Sequence, residues 1–257
     1  MPYTLNVYAL PKLVEPAELA GGTSLVIDVL RSSTTIVHAL EAGAREVVPC
    51  LEVEDAVAAA AALPPGEAVL GGERQGLPID GFDLANSPEE YTPYSVGDKT
   101  VILTTTNGTR ALMHARQARR VLVGAFVNAT AVFEQLLGQE KIDLICSGTD
   151  GQYSQDDVLL AGMFVERLSR EGGLTYQHNA QALTAREYWL HRFPLPHAVG
   201  GEGLDTDRLI DELRMSLGGQ NLVAIGLDDD IAACARVDQF QAVPELDTAT
   251  FRIRAAL

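Results

Sequence analysis

Short apolar runs alternating with helical stretches constrain the fold of this chain more than any other feature. Ser24-Leu25-Val26-Ile27-Asp28 precedes a helical stretch from Thr34 to Ala42. Glu46-Val47-Val48-Pro49 precedes an Ala-rich stretch from Val53 to Leu63, which Pro64-Pro65-Gly66 stops. Ala68-Val69-Leu70 is a third short run, followed by a polar loop from Gly71 to Ser87. The runs 99–104, 120–124 and 142–146 each lead into a helical segment, at 109–118, 129–137 and 156–170. Strands separated by about three helical turns read as βαβ units. The predicted class is therefore α/β, a mostly parallel sheet flanked by helices.

The rest is more helical, with candidate helices at 180–192, 205–216 and 229–236. Residues 248–254 alternate weakly and read as an edge strand, and Gly200-Gly201-Glu202-Gly203 is the best internal linker, or equally a surface loop. The 257 residues are expected to form one unit, whose natural subdivision falls at about residue 175, giving 1–175 and 176–257.

The rim of such a sheet is where chemistry is expected, because open parallel sheets bind ligands beyond the carboxyl ends of their strands. Polar clusters follow several of the runs. Thr104-Thr105-Thr106-Asn107-Gly108-Thr109 joins a buried run to a helix start. Free N–H groups, the helix dipole, hydroxyls and a glycine that permits close approach make it an oxyanion cradle. The alternative is a Thr-rich strand end with an Asn-Gly turn. Asp28, followed by Arg31, Ser33 and Thr34, reads either as a magnesium ligand or nucleophile beside an anion-holding group, or as a capped strand-to-helix turn.

Gly71-Gly72-Glu73-Arg74-Gln75-Gly76 lacks the Gly-Lys-Ser/Thr ending of a nucleotide phosphate loop. Glu73 on a metal and Arg74 on a second anion fit it better, against a plain surface loop. Asn86 can face the pocket, whereas Ser87, Glu89 and Glu90 read as helix-start residues. Asp156 and Asp157 begin a helix, where a dipole partner and a metal ligand are both open readings for Asp157. Capping accounts for Asp205-Thr206-Asp207 and Asp228-Asp229-Asp230. The five histidines show no zinc spacing.

Composition limits the partners. A net charge of −16 argues against nucleic acid. It does not exclude a small anionic substrate, because an arginine or a metal can invert the local field. No apolar stretch reaches membrane-spanning length, and the first residues lack a basic segment followed by an apolar block. Three widely spaced cysteines suggest no disulfide framework, so a cytoplasmic location is expected.

The ordered set Asp28-Val-Leu-Arg31-Ser-Ser-Thr-Thr35, Gly71-Gly-Glu-Arg74, Gly81-Phe-Asp-Leu-Ala-Asn-Ser-Pro88, Thr104-Thr-Thr-Asn-Gly-Thr109, Asp156-Asp157 and Ala242-Val-Pro244 resembles the 2-phosphosulfolactate phosphatase family over nearly the whole chain. Ser33 stands where Ala is expected, and Asp156 where Glu is more usual. The resemblance implies a Mg2+-dependent phosphatase that converts 2-phospho-3-sulfolactate into 3-sulfolactate and inorganic phosphate, a step in coenzyme M formation. Carried onto this chain, it makes Asp28, Glu73 and Asp157 the metal residues and Asp28, Arg31 and Asn107 the catalytic ones. Ser33, Thr34, Arg74, Asn86, Thr105, Thr106, Gly108 and Thr109 are the expected substrate contacts, and a homodimer is the expected assembly. The competing expectations are a phosphatase for another small anionic phosphoester, a non-catalytic binder of a phosphorylated metabolite, and a structural domain of an assembly.

Overall fold

The computed structural model describes residues 3–194 and 204–256; the glycine-rich segment read as a linker lies outside them. The elements in chain order are β1 (Thr4–Tyr8), β2 (Thr23–Ile27), α1 (Ser32–Glu41), β3 (Glu46–Pro49), α2 (Val53–Ala61), β4 (Ala68–Arg74), β5 (Leu77–Pro78) and α3 (Pro93–Val96). There follow β6 (Thr100–Thr104), α4 (Gly108–Ala115), β7 (Arg120–Gly124), α5 (Ala129–Leu136), β8 (Lys141–Cys146), α6 (Gln155–Glu171), β9 (Gln177–His178) and α7 (Ala180–Arg192). The chain ends with α8 (Thr206–Met215), α9 (Leu217–Ala224), α10 (Asp228–Cys234), β10 (Pro244–Asp247) and β11 (Arg252–Ala255).

All the strands join one sheet in the order β5-β4-β6-β3-β11-β10-β7-β2-β8-β1-β9. It is an α/β sheet made of two parallel blocks. β4, β6 and β3 form one, and β7, β2, β8, β1 and β9 the other. The antiparallel hairpin β10–β11 joins them. Residues 248–254 are therefore not an edge. β11 lies in the middle of the sheet, where Arg252 and Arg254 are accommodated because both pair with the buried Glu46 of β3. The polar loop expected from Gly71 is also corrected. β4 runs on to Arg74 and turns through Gln75-Gly76 into β5, with Glu73 opposite Pro78. Positive φ at both turn residues (54° and 79°) makes this tight reversal.

β2 is buried along its whole length because helices cover both faces. Leu25 and Ile27 enter a core with Leu144, Phe164 and Trp189. Val26 points the other way, into a core with Ile36 of α1, Val101 of β6 and Leu112 of α4. That second core draws on both blocks, so the sheet wraps around α1 and α4. The wrapping matters for function. An odd number of antiparallel steps makes β6 and β2 nominally opposed, and the two are five steps apart. At about 20–25° per step, sheet twist accumulates to roughly 100–125° and swings the two exits toward each other.

His38 sits in α1 with its Nε2 buried and without a partner, edge-on to Phe240 at 4.8 Å between ring centroids. Burial, with Arg236 adding to it, lowers its pKa to about 4. The folded protein thus resists a proton that the unfolded chain takes up near the ordinary histidine value. Stability from this residue is full above about pH 6.5 and is lost as pH falls toward 4. His38→Gln is expected to flatten that acid limb by about 2 kcal/mol, read from urea unfolding at pH 4.5 and pH 7.5. An unchanged difference between the two pH values would remove His38 as its source.

Candidate active site

Asp28 is the centre of the site. It directly follows β2, where the strand's buried apolar run stops, and it is itself buried. Its backbone N–H donates to Ser33 Oγ (2.9 Å), and its Oδ1 accepts from the Ser32 N–H (3.2 Å) at the start of α1. Across from it, β6 ends and α4 begins at Gly108. A Cβ on Gly108 would lie 2.4 Å from Ser32 Oγ and 2.9 Å from Asp28 Oδ2. Only a glycine permits that approach. Two helix N-termini therefore converge on one carboxylate, and their partial positive charge favours anions there.

A cleft of about 430 Å³ opens over this point. One wall is Asp28, Arg31, Ser32, Thr105, Thr106 and Asn107, and the hairpin tip brings Glu73, Gln75 and Gly76. Glu73 is buried and accepts from Thr106 N (2.6 Å), Thr106 Oγ1 (3.2 Å) and Gly76 N (2.7 Å). It thereby holds the hairpin against the threonine turn. Asn107 Oδ1 accepts from the Asp150 N–H (3.1 Å). Asn86 lines the cleft with its Oδ1 buried and unpartnered. Burial raises the Asp28 pKa to about 7, with the Asp156 and Glu73 carboxylates adding to it against the Ser147 hydroxyl and Ser32 N–H.

The expected residues divide into two groups. Asp28, Arg31, Glu73, Asn86, Thr105, Thr106 and Asn107 share the cleft, with Gly108 directly behind it. Ser33, Thr34 and Thr109 are buried as internal braces. Ser33 holds the Asp28 backbone, Thr34 Oγ1 donates to Val29 O (2.9 Å), and Thr109 Oγ1 accepts from Thr105 N (3.3 Å). Arg74 turns away from the cleft to Leu51 O, Glu73 O and Thr104 Oγ1, each at 2.8 Å. Asp157 is buried under three donors, Val29 N (2.9 Å), Gly148 N (2.9 Å) and Ser147 Oγ (3.1 Å). It clamps the exits of β2 and β8 together, and its pKa is raised by burial first and by Asp156 and Asp28 next.

Sequence reasoning missed Ser32, one position from Ser33, and the whole of α9. That helix forms the opposite wall through Gly218, Asn221, Leu222 and Ala224, with Ile225 just beyond its end. Gly218 and Gly219 masked its helical pattern, since glycine is a poor helix former. Gly219 is required there because a Cβ would sit 2.1 Å from Leu213 O of α8. It also missed Asp230. That residue is not merely a cap, because its buried carboxylate pairs with Arg31 at 2.5 Å.

The donor set bears on a divalent cation as follows. Among the described residues, no group of three or more His, Cys, Asp or Glu side chains is placed to hold a metal ion, so an all-protein cage is not present. Magnesium commonly takes one or two carboxylates and completes its shell with water and phosphate oxygens. Asp28 and Glu73 face one cleft, and the Glu73 carboxylate adds to the cost of ionising Asp28. They fit that mode because both line the cleft; Asp157, which does not line it and clamps backbone instead, does not.

A wrapped α/β sheet with a carboxylate and two helix N-termini at one cleft defines a protein built to receive a small anion. Residues 8–249 match the family model described as 2-phosphosulpholactate phosphatase. The chain is 39% identical over 233 residues to the probable 2-phosphosulfolactate phosphatase of Symbiobacterium thermophilum, covering 90% of this chain and 94% of the relative. It is 35% identical over 249 residues to that of Caldanaerobacter subterraneus subsp. tengcongensis, covering 96% and 97%. The chain belongs to the 2-phosphosulfolactate phosphatase family, and its class is that of the phosphoric monoester hydrolases.

Proposed function

We propose that this protein is a Mg2+-dependent phosphatase that hydrolyses 2-phospho-3-sulfolactate to 3-sulfolactate and inorganic phosphate. The observation that carries the reading is the meeting of Asp28, Glu73 and the Thr105–Gly108 turn in one cleft. Thr105 and Thr106 line the place of the phosphoryl oxygens, and the dipoles of α1 and α4 add their partial positive charge there. Arg31 orients the ester. Asp28 and Glu73 would hold the cation, which supplies charge neutralisation on the phosphoryl group. The α9 wall shields the far side with Leu222 and Ala224. The cytoplasmic location in this reading is supported by three buried free thiols, Cys50, Cys146 and Cys234. Among the described residues no helix is long and apolar enough to cross a membrane. The homodimer and the place in coenzyme M formation rest on the family resemblance alone.

A different small phosphoester is the second reading, and one observation favours it. Among the described residues, Arg31 is the only arginine or lysine lining the cleft, and Arg74 is engaged elsewhere. An ester with fewer strong acid groups suits such a lining. Phosphate release from 2-phospho-3-sulfolactate and from a panel of phospho-acids, with Mg2+ and with EDTA, tests both. Turnover with the sulfolactate ester is expected to fall to background in EDTA and to return with added Mg2+. Release that is indifferent to EDTA would remove the cation from the reading. Preference for another ester would select the second one.

A further inference from the structure

Arg31 is held by a residue 199 positions away. Its Nη1 donates to Asp230 Oδ2 at 2.5 Å, and its Nη2 donates to Gly76 O at 2.8 Å. Both side chains of the pair are almost wholly buried, at 2% and 8% exposure. The other Asp230 oxygen accepts from Ser87 Oγ at 2.5 Å, next to Asn86 of the cleft. One carboxylate on α10 thus fixes the cleft's arginine and the segment that carries its buried amide. Buried ion pairs add little net stability, because desolvation offsets their attraction. What such a pair does supply is orientation, since it holds the planar fork in one plane.

We propose that Asp230 is a positioning residue for phosphoester turnover, acting through Arg31 and Ser87 without touching the substrate. This rests on the phosphatase reading of the same cleft. Loss of this carboxylate carries an unusual kinetic signature. Asp230→Asn removes a negative charge from beneath an anion site while freeing the guanidinium to swing. Ground-state binding of a phosphate should hold or tighten, whereas turnover should fall because the fork no longer meets the transition state in place.

The test is kcat and KM for the ester on which the wild-type protein is most active, together with the Kd of inorganic phosphate in Mg2+ by calorimetry. Asp230→Asn is expected to lower kcat at least about tenfold with KM unchanged or lower. In an Arg31→Met background the same change should lower kcat by less than about twofold, because residues acting as a unit are not additive. Asp229→Asn, an exposed change one position away, is expected to leave both constants alone. If Asp230→Asn does not fold, Asp230→Glu keeps the charge, moves the fork by one methylene, and should lower kcat with KM held.

A proportional rise in KM, an additive double variant, or an unchanged kcat would overturn the proposal. If the wild-type protein hydrolyses no ester at all, the phosphatase reading fails by itself. The phosphate Kd then decides about Asp230: the positioning role requires Arg31→Met to weaken binding and Asp230→Asn not to weaken it.

Discussion

Asp28→Asn is expected to reduce phosphate release by about 10³-fold or more while leaving the protein folded. The carboxylate faces the cleft, and an amide of the same shape cannot supply its charge to a cation. The fold should tolerate the change because the structural bonds of this position are made by its backbone. The Asp28 N–H donates to Ser33 Oγ and the Asp28 carbonyl accepts from Ser33 N, and neither depends on the carboxylate. The Asn Oδ1 still accepts from Ser32 N. Burial, Asp156 and Glu73 all disfavour the ionised carboxylate, so the Asn protein should melt no lower than wild type at pH 7. Assays of released phosphate and a thermal melt on one preparation check both halves. Near-normal turnover by Asp28→Asn would take the residue out of the chemistry.

Gly108→Ala should cost about 10²-fold in turnover, although it adds a single methyl group. That methyl would need the space of Ser32 Oγ and Cβ, at 2.4 Å and 2.6 Å, and of Asp28 Oδ2 at 2.9 Å. Such contacts force α4 away from α1 or turn the Asp28 carboxylate. Either movement spreads the two helix N-termini that share the anion. The alanine is otherwise a better helix former, so no loss is expected from helix propensity. Ser32→Ala would take away the hydroxyl oxygen, the nearest clash. Recovery of part of the activity in a Ser32→Ala, Gly108→Ala protein is therefore the sharper measurement, and no recovery would locate the damage elsewhere in the α4 backbone.

Much of this site was legible because its chemistry lies where apolar runs end. Val26-Ile27-Asp28 and Leu103 to Gly108 announce a buried strand meeting polar groups, and both ends line the cleft. The local pattern does not resolve which of three neighbouring hydroxyls faces the ligand. Ser32 lines the cleft while Ser33 and Thr34 bond to backbone, since a helix turns each successive residue by about 100°. Arg74 lies outside the cleft for a related reason, because successive strand residues point to opposite faces: Glu73 enters the site and Arg74 leaves it. Asp230 carried no readable signal, as its first-turn setting explains a carboxylate without any distant partner. The central position of β11 was hidden by its short, charged sequence, which reads as an edge until Glu46 is known to receive both arginines.

The β10–β11 hairpin has a consequence for how the molecule comes apart. Residues 244–255 provide the sheet's own seam between its two arms, so backbone pairing passes from one arm to the other through this short pair of strands. Unzipping it would sever the ladder at its middle, and the arms would lose the frame of their common opening in a single step.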